Sequence, residues 1–472
     1  MDALEVITVA PEDWRATLAG VRDGGGTLAS LFAAAGGDGA PELRCLTVGT
    51  AGPALVRAAA AGGTIPTVVD LAPWLQWDER EARDLFGVVF DGHEPHRALV
   101  AHPDDLDAWT TPILGDDVHQ VAVGPIHAGV IESGHFRFHS VGERILHIDV
   151  RLFHKHRALE RAAEGLGADA ALAVIQRSCA ACAAANTVAF AQAVERAGGR
   201  RPDDATRRAR TLLMELERLY NHVNDLGAIC AGVGFAPGAM AFASFKERAQ
   251  RIVRDLTGHR FMFGSVSVGG SRLSVPPETA AAARAALAAL HRDVGPAWRA
   301  LLFDASLRDR AVGAGVLTPD EARRLGTVGP AARASGIHRD AREHSPGLWY
   351  PGFRAALPAD PAGDVAARME ARAVELEQTF PMLDELLGSP IAPGRSTVEG
   401  PGGAHGAAVV ESARGETSCA VEMEGERVRR VHLRTSSFAN WPSVARAATG
   451  AILPDFPLIN KSFELCYACV DR

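Results

Sequence analysis

The chain has 472 residues, 47% hydrophobic and 22% charged, which is ordinary for a globular protein and long enough for two or more domains. A formal charge of -8 argues against a nucleic-acid partner, since phosphate binding needs a basic face. No secretory signal opens the chain at Met1-Asp2-Ala3-Leu4-Glu5, and no run approaches the roughly 20 apolar residues of a membrane span, so a cytoplasmic location is expected.

Residues 1–110 read as a small mixed domain. Pro11 to Val21 predicts a short helix, and Glu42 to Val48 and Thr64 to Leu71 predict strands. Cys45, alone in an apolar strand, reads as a buried structural thiol. Trp77 to Gly87 predicts a helix ended by its glycine, and its charge pattern reads as a solvated face. Asp-rich residues 103–120 read as the linker to a larger domain at 120–472. There, extended chain from Gly124 onward leads to a hairpin of Phe136 to Ser140 and Ile145 to Leu152.

Helices dominate the middle. Ala168 to Gly198 reads as one helical run containing Cys179 and Cys182. Asp203 or Asp204 can cap the next helix, whose Leu212, Leu216, Leu219, Val223 and Leu226 form a buried stripe. Phe242 to Leu256, Glu278 to Val294 and Asp364 to Leu387 continue the pattern, with an irregular region from Asp304 to Leu357. Ala407 to Val410 and Cys419 to Leu433 alternate as strands around Gly425. The fold class is therefore α+β: a small N-terminal α+β domain, then a large, mainly helical domain with peripheral hairpins.

Chemistry concentrates in two cysteine pairs of equal spacing, Cys179–Cys182 and Cys466–Cys469. Thiolates are soft ligands, and four suit zinc, an iron–sulfur cluster or nickel. Zinc ribbons separate their pairs by about 15–20 residues. Here the whole domain must fold to bring the pairs together, which favours a functional metal slightly over structural zinc. Cys230 and Cys419 read as core residues. His127, His135, His139, His147, His154 and His156 fall on alternating strand faces and read as scattered polar residues before a second metal site. Glu132 fits a proton carrier or a surface carboxylate.

The stretches Arg177-Ser178-Cys179-Ala180-Ala181-Cys182 and Cys466-Tyr467-Ala468-Cys469 resemble the two cysteine motifs of nickel–iron hydrogenase large subunits. Gly124 to Phe138, Glu215 to Ala228, and Glu411 to Gly415 with Asn440-Trp441-Pro442 are similar to the formate-hydrogenlyase, energy-converting branch of that family. Glu79-Arg80-Glu81 to Gly87 and Gly92-His93 resemble the 30-kDa subunit of complex I, fused to the large subunit in formate-hydrogenlyase proteins. The larger domain is thereby complex I 49-kDa-like.

The resemblance implies an oxidoreductase interconverting protons and H2. Cys179, Cys182, Cys466 and Cys469 would hold nickel, with Cys182 and Cys469 bridging to an iron carrying cyanide and carbon monoxide. Glu132 matches the proton-relay glutamate, within reach of a cysteine sulfur, and Arg414 the arginine over the open metal position. Electrons would pass to an iron–sulfur cluster in a separate, complex I 20-kDa-like small subunit, with a ferredoxin-like subunit and membrane antiporter-like subunits as further partners. These would hold the chain peripherally on the inner face of the cell membrane. Where the family has Gly, His and Asp-Pro beside the ligands, this chain has Ala180, Asn186 and Glu464-Leu465. Asn186 is still able to donate to a thiolate but not to carry a proton. The rival expectation is a structural or quinone-reducing subunit of a complex I-like assembly, metal-free or zinc-bound. Relatives carry a clipped C-terminal extension; this chain stops at Arg472, as a mature form or one needing no protease.

Overall fold

Four strands build the first sheet, in the spatial order Glu5–Thr8, Gly52–Ala59, Pro41–Gly49, Thr27–Ala35, with only the first pair parallel. The computed structural model describes residues 4–472 apart from 38, 50–51, 106–108, 128–131, 345–346 and 401. Parts of the 103–120 linker, the Gly124–Phe138 motif and the irregular 304–357 region therefore lie outside the described residues. One face of the sheet packs Leu31, Leu43, Cys45 and Val56 against Trp14 and Leu18 of the helix Trp14–Asp23. The other face packs Ala29, Phe32, Leu46 and Leu55 against Ala407 and Ala420 of a C-terminal sheet. A sheet covered on both faces shows no polar alternation, so sequence alone gives no hint of the second layer.

Two expectations in this region are corrected. The strand at Thr64 stops at Pro66, pairing in parallel with Val89–Asp91. Beyond it, Glu79 takes the Val68 N–H at 2.7 Å and the Thr67 hydroxyl at 2.6 Å, removing them from any ladder. The helix Gln76–Phe86 ends, as expected, at Gly87 with φ 71°. Its acidic face, however, is not solvated. Asp78, Glu79 and Glu81 are buried, each with a specific partner: Arg434 for Asp78, His93 for Glu79, Arg472 for Glu81. Buried carboxylates need such partners, and those of Asp78 and Glu81 lie hundreds of residues away and leave no mark on the local pattern.

The hairpin forms between His135–Val141 and Arg144–Arg151 around Gly142, with His119–Val123 as a third antiparallel strand. The Ala168–Gly198 run is broken into Ala168–Ile175 and Ala183–Ala197, and the first cysteine pair occupies the break. The long helix Asp204–Gly232 follows, and Asp203 caps it by accepting the Thr206 N–H at 2.8 Å. All five residues of its apolar stripe are fully buried. So are Glu215, Glu217, Arg218, Asn221, His222 and Asp225 on its polar side, because this helix runs through the middle of the domain.

Around it pack Ala236–Thr257, Val365–Leu387, Ala183–Ala197 and Phe456–Phe463. Val365–Leu387 also packs against Pro277–Phe303, which runs past the expected Val294 despite Pro296. The antiparallel sheet His405–Ser412, Gly415–Glu424, Arg427–Arg434 lies on Ala183–Ala197. Contact is so close at Gly406 that a Cβ there would stand 2.0 Å from the Ala193 carbonyl oxygen. The fold is α+β, and no described helix is long and apolar enough to cross a membrane.

Candidate metal centre

The four cysteines predicted as ligands converge. Their sulfur atoms all lie within 4.8 Å of one another, and Cys182 Sγ is 3.6 Å from Cys466 Sγ. A metal at the usual thiolate distance of about 2.3 Å separates tetrahedral sulfurs by about 3.8 Å, so the set fits one metal or a small bridged pair. Cys179, Cys182 and Cys469 are buried and Cys466 half-buried. Among the described residues no other histidine, cysteine or carboxylate cluster gathers this way. Cys45, Cys230 and Cys419 are fully buried in cores, where desolvation pushes all three thiols up.

Each half of the centre is held by its own scaffold. The Cys179–Cys182 turn is clamped by the long helix: Asn221 Nδ2 donates to the Ala181 carbonyl at 2.8 Å, and the Tyr220 hydroxyl donates to the same oxygen at 3.2 Å. Glu217 accepts the N–H groups of Ala184 and Ala185 at 2.6 and 3.1 Å, capping the helix that begins after Cys182. The Cys466–Cys469 turn is held by Ser437 Oγ, which accepts the Cys466 N–H at 3.0 Å, and by the Thr435 hydroxyl, which donates to the Cys469 carbonyl at 3.0 Å.

The thiols share their protons. Hydrogen bonds from Cys179, Cys182 and Cys469, helped by Arg414, hold Cys466 below the ordinary thiol range. Hydrogen bonds with Cys179, Cys466 and Cys469, with burial, push Cys182 up. Desolvation raises the Glu217 carboxyl to about 8, and the nearby Cys466 adds to the rise, outweighing the two N–H groups and the Arg218 charge that favour its anion.

Arg414 is buried, with Nη1 2.9 Å from Asp225 Oδ2. Arg372 Nε approaches the same oxygen at 2.9 Å, so one carboxylate orients two guanidiniums. The nearby Cys466 and Cys182 add to the fields that keep Arg414 charged, and its Nε has no partner among the described residues. Asn186 Nδ2 lies 4.0 Å from Cys469 Sγ, a long amide-to-sulfur contact. Glu132 does not bond a sulfur among the described residues. Its Oε2 instead accepts the N–H of Ala468, between the two terminal cysteines, at 2.7 Å. Glu464 has the left-handed backbone φ 47° and a carboxyl raised by burial and by Asp225, with Lys461 3.8 Å away.

The histidines do not form a second centre. His139 and His147 both bond Asp149, at 2.9 and 3.0 Å, as do Thr111 and Arg97. His127 bonds the Gly134 carbonyl, His135 that of Gly124, and His156 that of Asp471.

Sequence reasoning passed over Glu217, Tyr220, Asn221 and Asp225. Their spacing of three and four puts them on one polar face of the long helix, a visible signal that carries no meaning until both helix faces are known to be buried.

A fused 30-kDa-like and 49-kDa-like chain with a converged tetracysteine centre defines a subunit of the complex I and hydrogenase class. Residues 7–116 match the family described as "Respiratory-chain NADH dehydrogenase, 30 Kd subunit", and residues 233–401 and 395–472 match "Respiratory-chain NADH dehydrogenase, 49 Kd subunit". The chain belongs to this 49 Kd subunit family, with the 30 Kd domain fused in front. It is 32% identical over 438 residues to "Formate hydrogenlyase subunit 5" of Escherichia coli (strain K12), covering 86% of this chain and 77% of that protein. "Hydrogenase-4 component G" of the same organism is 29% identical, covering 86% and 76%. Among solved structures, a chain of the membrane-bound sulfane sulfur reductase, an archaeal respiratory membrane complex, superposes with a TM-score of 0.70. That chain is 26% identical, covering 77% of this chain and all of that one.

Proposed function

We propose that the chain is the catalytic large subunit of a membrane-associated, complex I-like nickel–iron hydrogenase of the formate-hydrogenlyase kind, interconverting protons and H2. The observation that carries this reading is the convergence of four sulfurs within 4.8 Å near a buried arginine whose Nε has no partner among the described residues. Bound there, a nickel–iron centre with cyanide and carbon monoxide ligands supplies the redox chemistry, electrons passing to an iron–sulfur cluster in a small subunit. The residues of this chain hold and surround it. Cys179, Cys182, Cys466 and Cys469 would hold it through their thiolates. Arg414, aimed by Asp225, presents a fixed positive charge to the open face. Asn186 donates toward the Cys469 sulfur, and Glu132 accepts and passes protons at the mouth of the terminal turn.

In this reading residues 1–110 and 120–472 are the two domains. A complex I 20-kDa-like subunit, a ferredoxin-like subunit and membrane antiporter-like subunits are the partners, fixing the chain on the inner face of the cell membrane. The test is nickel content and hydrogen turnover of the purified assembly. Stoichiometric nickel that disappears in Cys469→Ala supports the reading, and an assembly without nickel ends it.

A second reading has specific support. Ala180, Asn186 and Glu464-Leu465 alter the surroundings of all four ligands, and Glu132 bonds an amide rather than a sulfur. These features suit a structural or quinone-reducing subunit, metal-free or with zinc at the cysteines. Infrared bands from iron-bound cyanide and carbon monoxide would exclude it.

A further inference from the structure

The segment that carries Cys466 and Cys469 ends in two residues with an unusual number of distant partners. Asp471 accepts the N–H groups of Phe153 and Lys155, each at 2.8 Å, and its carbonyl is bonded by His156 at 2.7 Å. The carbonyl of Arg472 accepts the Arg157 N–H at 3.0 Å. Arg157 in turn donates through its guanidinium to the carbonyls of Arg177 and Ser178, immediately before Cys179. Residues 153–157 therefore tie the two cysteine segments to each other.

The Arg472 side chain reaches further. It is 2% exposed, lies over the Phe438 ring, donates to the Leu433 carbonyl, pairs with Glu160 at 3.1 Å, and makes its closest ion pair with Glu81. Glu81 belongs to the helix Gln76–Phe86 of the N-terminal domain. Cys469 lies in the short helix Tyr467–Asp471 and Arg472 follows it directly, so a displacement of one carries the other. Beside the pair opens a cavity of about 290 Å³ lined by Glu81, Phe86, His156, Glu160, Arg430 and Arg472.

We propose that Glu81 and Arg472 form an interdomain catch, positioning residues through which the N-terminal domain holds the Cys466–Cys469 half of the centre closed against the Cys179–Cys182 half. Opening of this catch is the step that admits or releases metal. The inference rests on the reading of the four cysteines as metal ligands and adds the fused domain as part of the site. A charge-assisted pair in a desolvated interface is stronger than a surface pair, and removing the Glu81 charge leaves the buried Arg472 with Glu160 alone. The catch therefore controls opening of the terminal turn out of proportion to its size.

The test uses the full chain loaded anaerobically with cobalt(II), followed by its thiolate-to-metal absorption. Glu81→Gln should leave the absorption spectrum unchanged and speed cobalt release to excess chelator by at least about tenfold. Glu422→Gln breaks a different interdomain pair, to Arg44 at 2.6 Å, and should change the release rate by less than about twofold. Arg472→Lys keeps the charge and most of the packing but cannot span Glu81 and Glu160 together, so it should fall between the two. Release from Glu81→Gln at the wild-type rate, or equal acceleration in Glu422→Gln, would overturn the catch. Should the wild-type chain take up no cobalt, the metal reading fails by itself. The catch is then judged on the metal-free chain by hydrogen exchange of the 466–472 amides, which Glu81→Gln should quicken selectively and which, if unchanged, refutes it.

Discussion

Glu217 offers a perturbation whose size follows from the structure. Its carboxyl is 1% exposed and accepts two backbone N–H groups, and burial, outweighing these and the Arg218 charge, lifts it from an ordinary 4.5 to about 8. Below pH 4.5 the folded and unfolded chains both hold this proton. As pH rises from 4.5 to 8, the unfolded chain ionises first while the folded chain keeps its proton, so folding weakens over that window. The full difference corresponds to about 5 kcal/mol, reached near pH 8. Glu217→Gln has nothing to titrate and nearly the same shape. At pH 5 it should differ from the wild type by no more than about 1–2 kcal/mol, the worth of one altered hydrogen bond. By pH 8.5 it should have gained about 5 kcal/mol on the wild type. The assay is denaturant unfolding of both metal-free chains at half-unit steps of pH, reading the difference between them so that other titrations cancel. A difference that stays flat from pH 5 to 8.5 would refute the account and mean that a cation outside the described contacts neutralises Glu217.

Other expectations follow from the same geometry. His222 is fully buried against Glu375 at 2.8 Å, and desolvation lowers it to about 4. Its folded value is depressed, so the unfolded chain takes up the proton first and stability is lost as pH falls from 6.5 to 4. His222→Gln should flatten that acid limb by about 3 kcal/mol in the same unfolding series. Asp225→Asn leaves Arg372 and Arg414 without their shared carboxylate, and should cost about 3–5 kcal/mol of stability while the metal content measured by emission spectroscopy persists. Gly406→Val should fail to yield folded protein, because its Cβ would overlap the Ala193 carbonyl. Gly425→Ala, strained at φ 61° but in open space, should cost only about 1 kcal/mol in thermal unfolding.

The amino-acid sequence by itself determined a good deal. Period and caps located the long helix and narrowed its cap to Asp203 or Asp204, Gly142 and Gly425 marked the turns, and the equal spacing of the two cysteine pairs singled out the four sulfurs that converge. These are local signals, written in hydrogen bonding and side-chain period within a few residues. What only the tertiary structure decided concerns buried charge. Asp78, Glu79 and Glu81 read as a solvated face because their partners Arg434, His93 and Arg472 are remote or unmarked in the chain. The break at the first cysteine pair needed Glu217, Tyr220 and Asn221 to hold it. A charged residue looks the same in sequence whether water or a distant counter-charge solvates it, and folding alone brings that counter-charge into place.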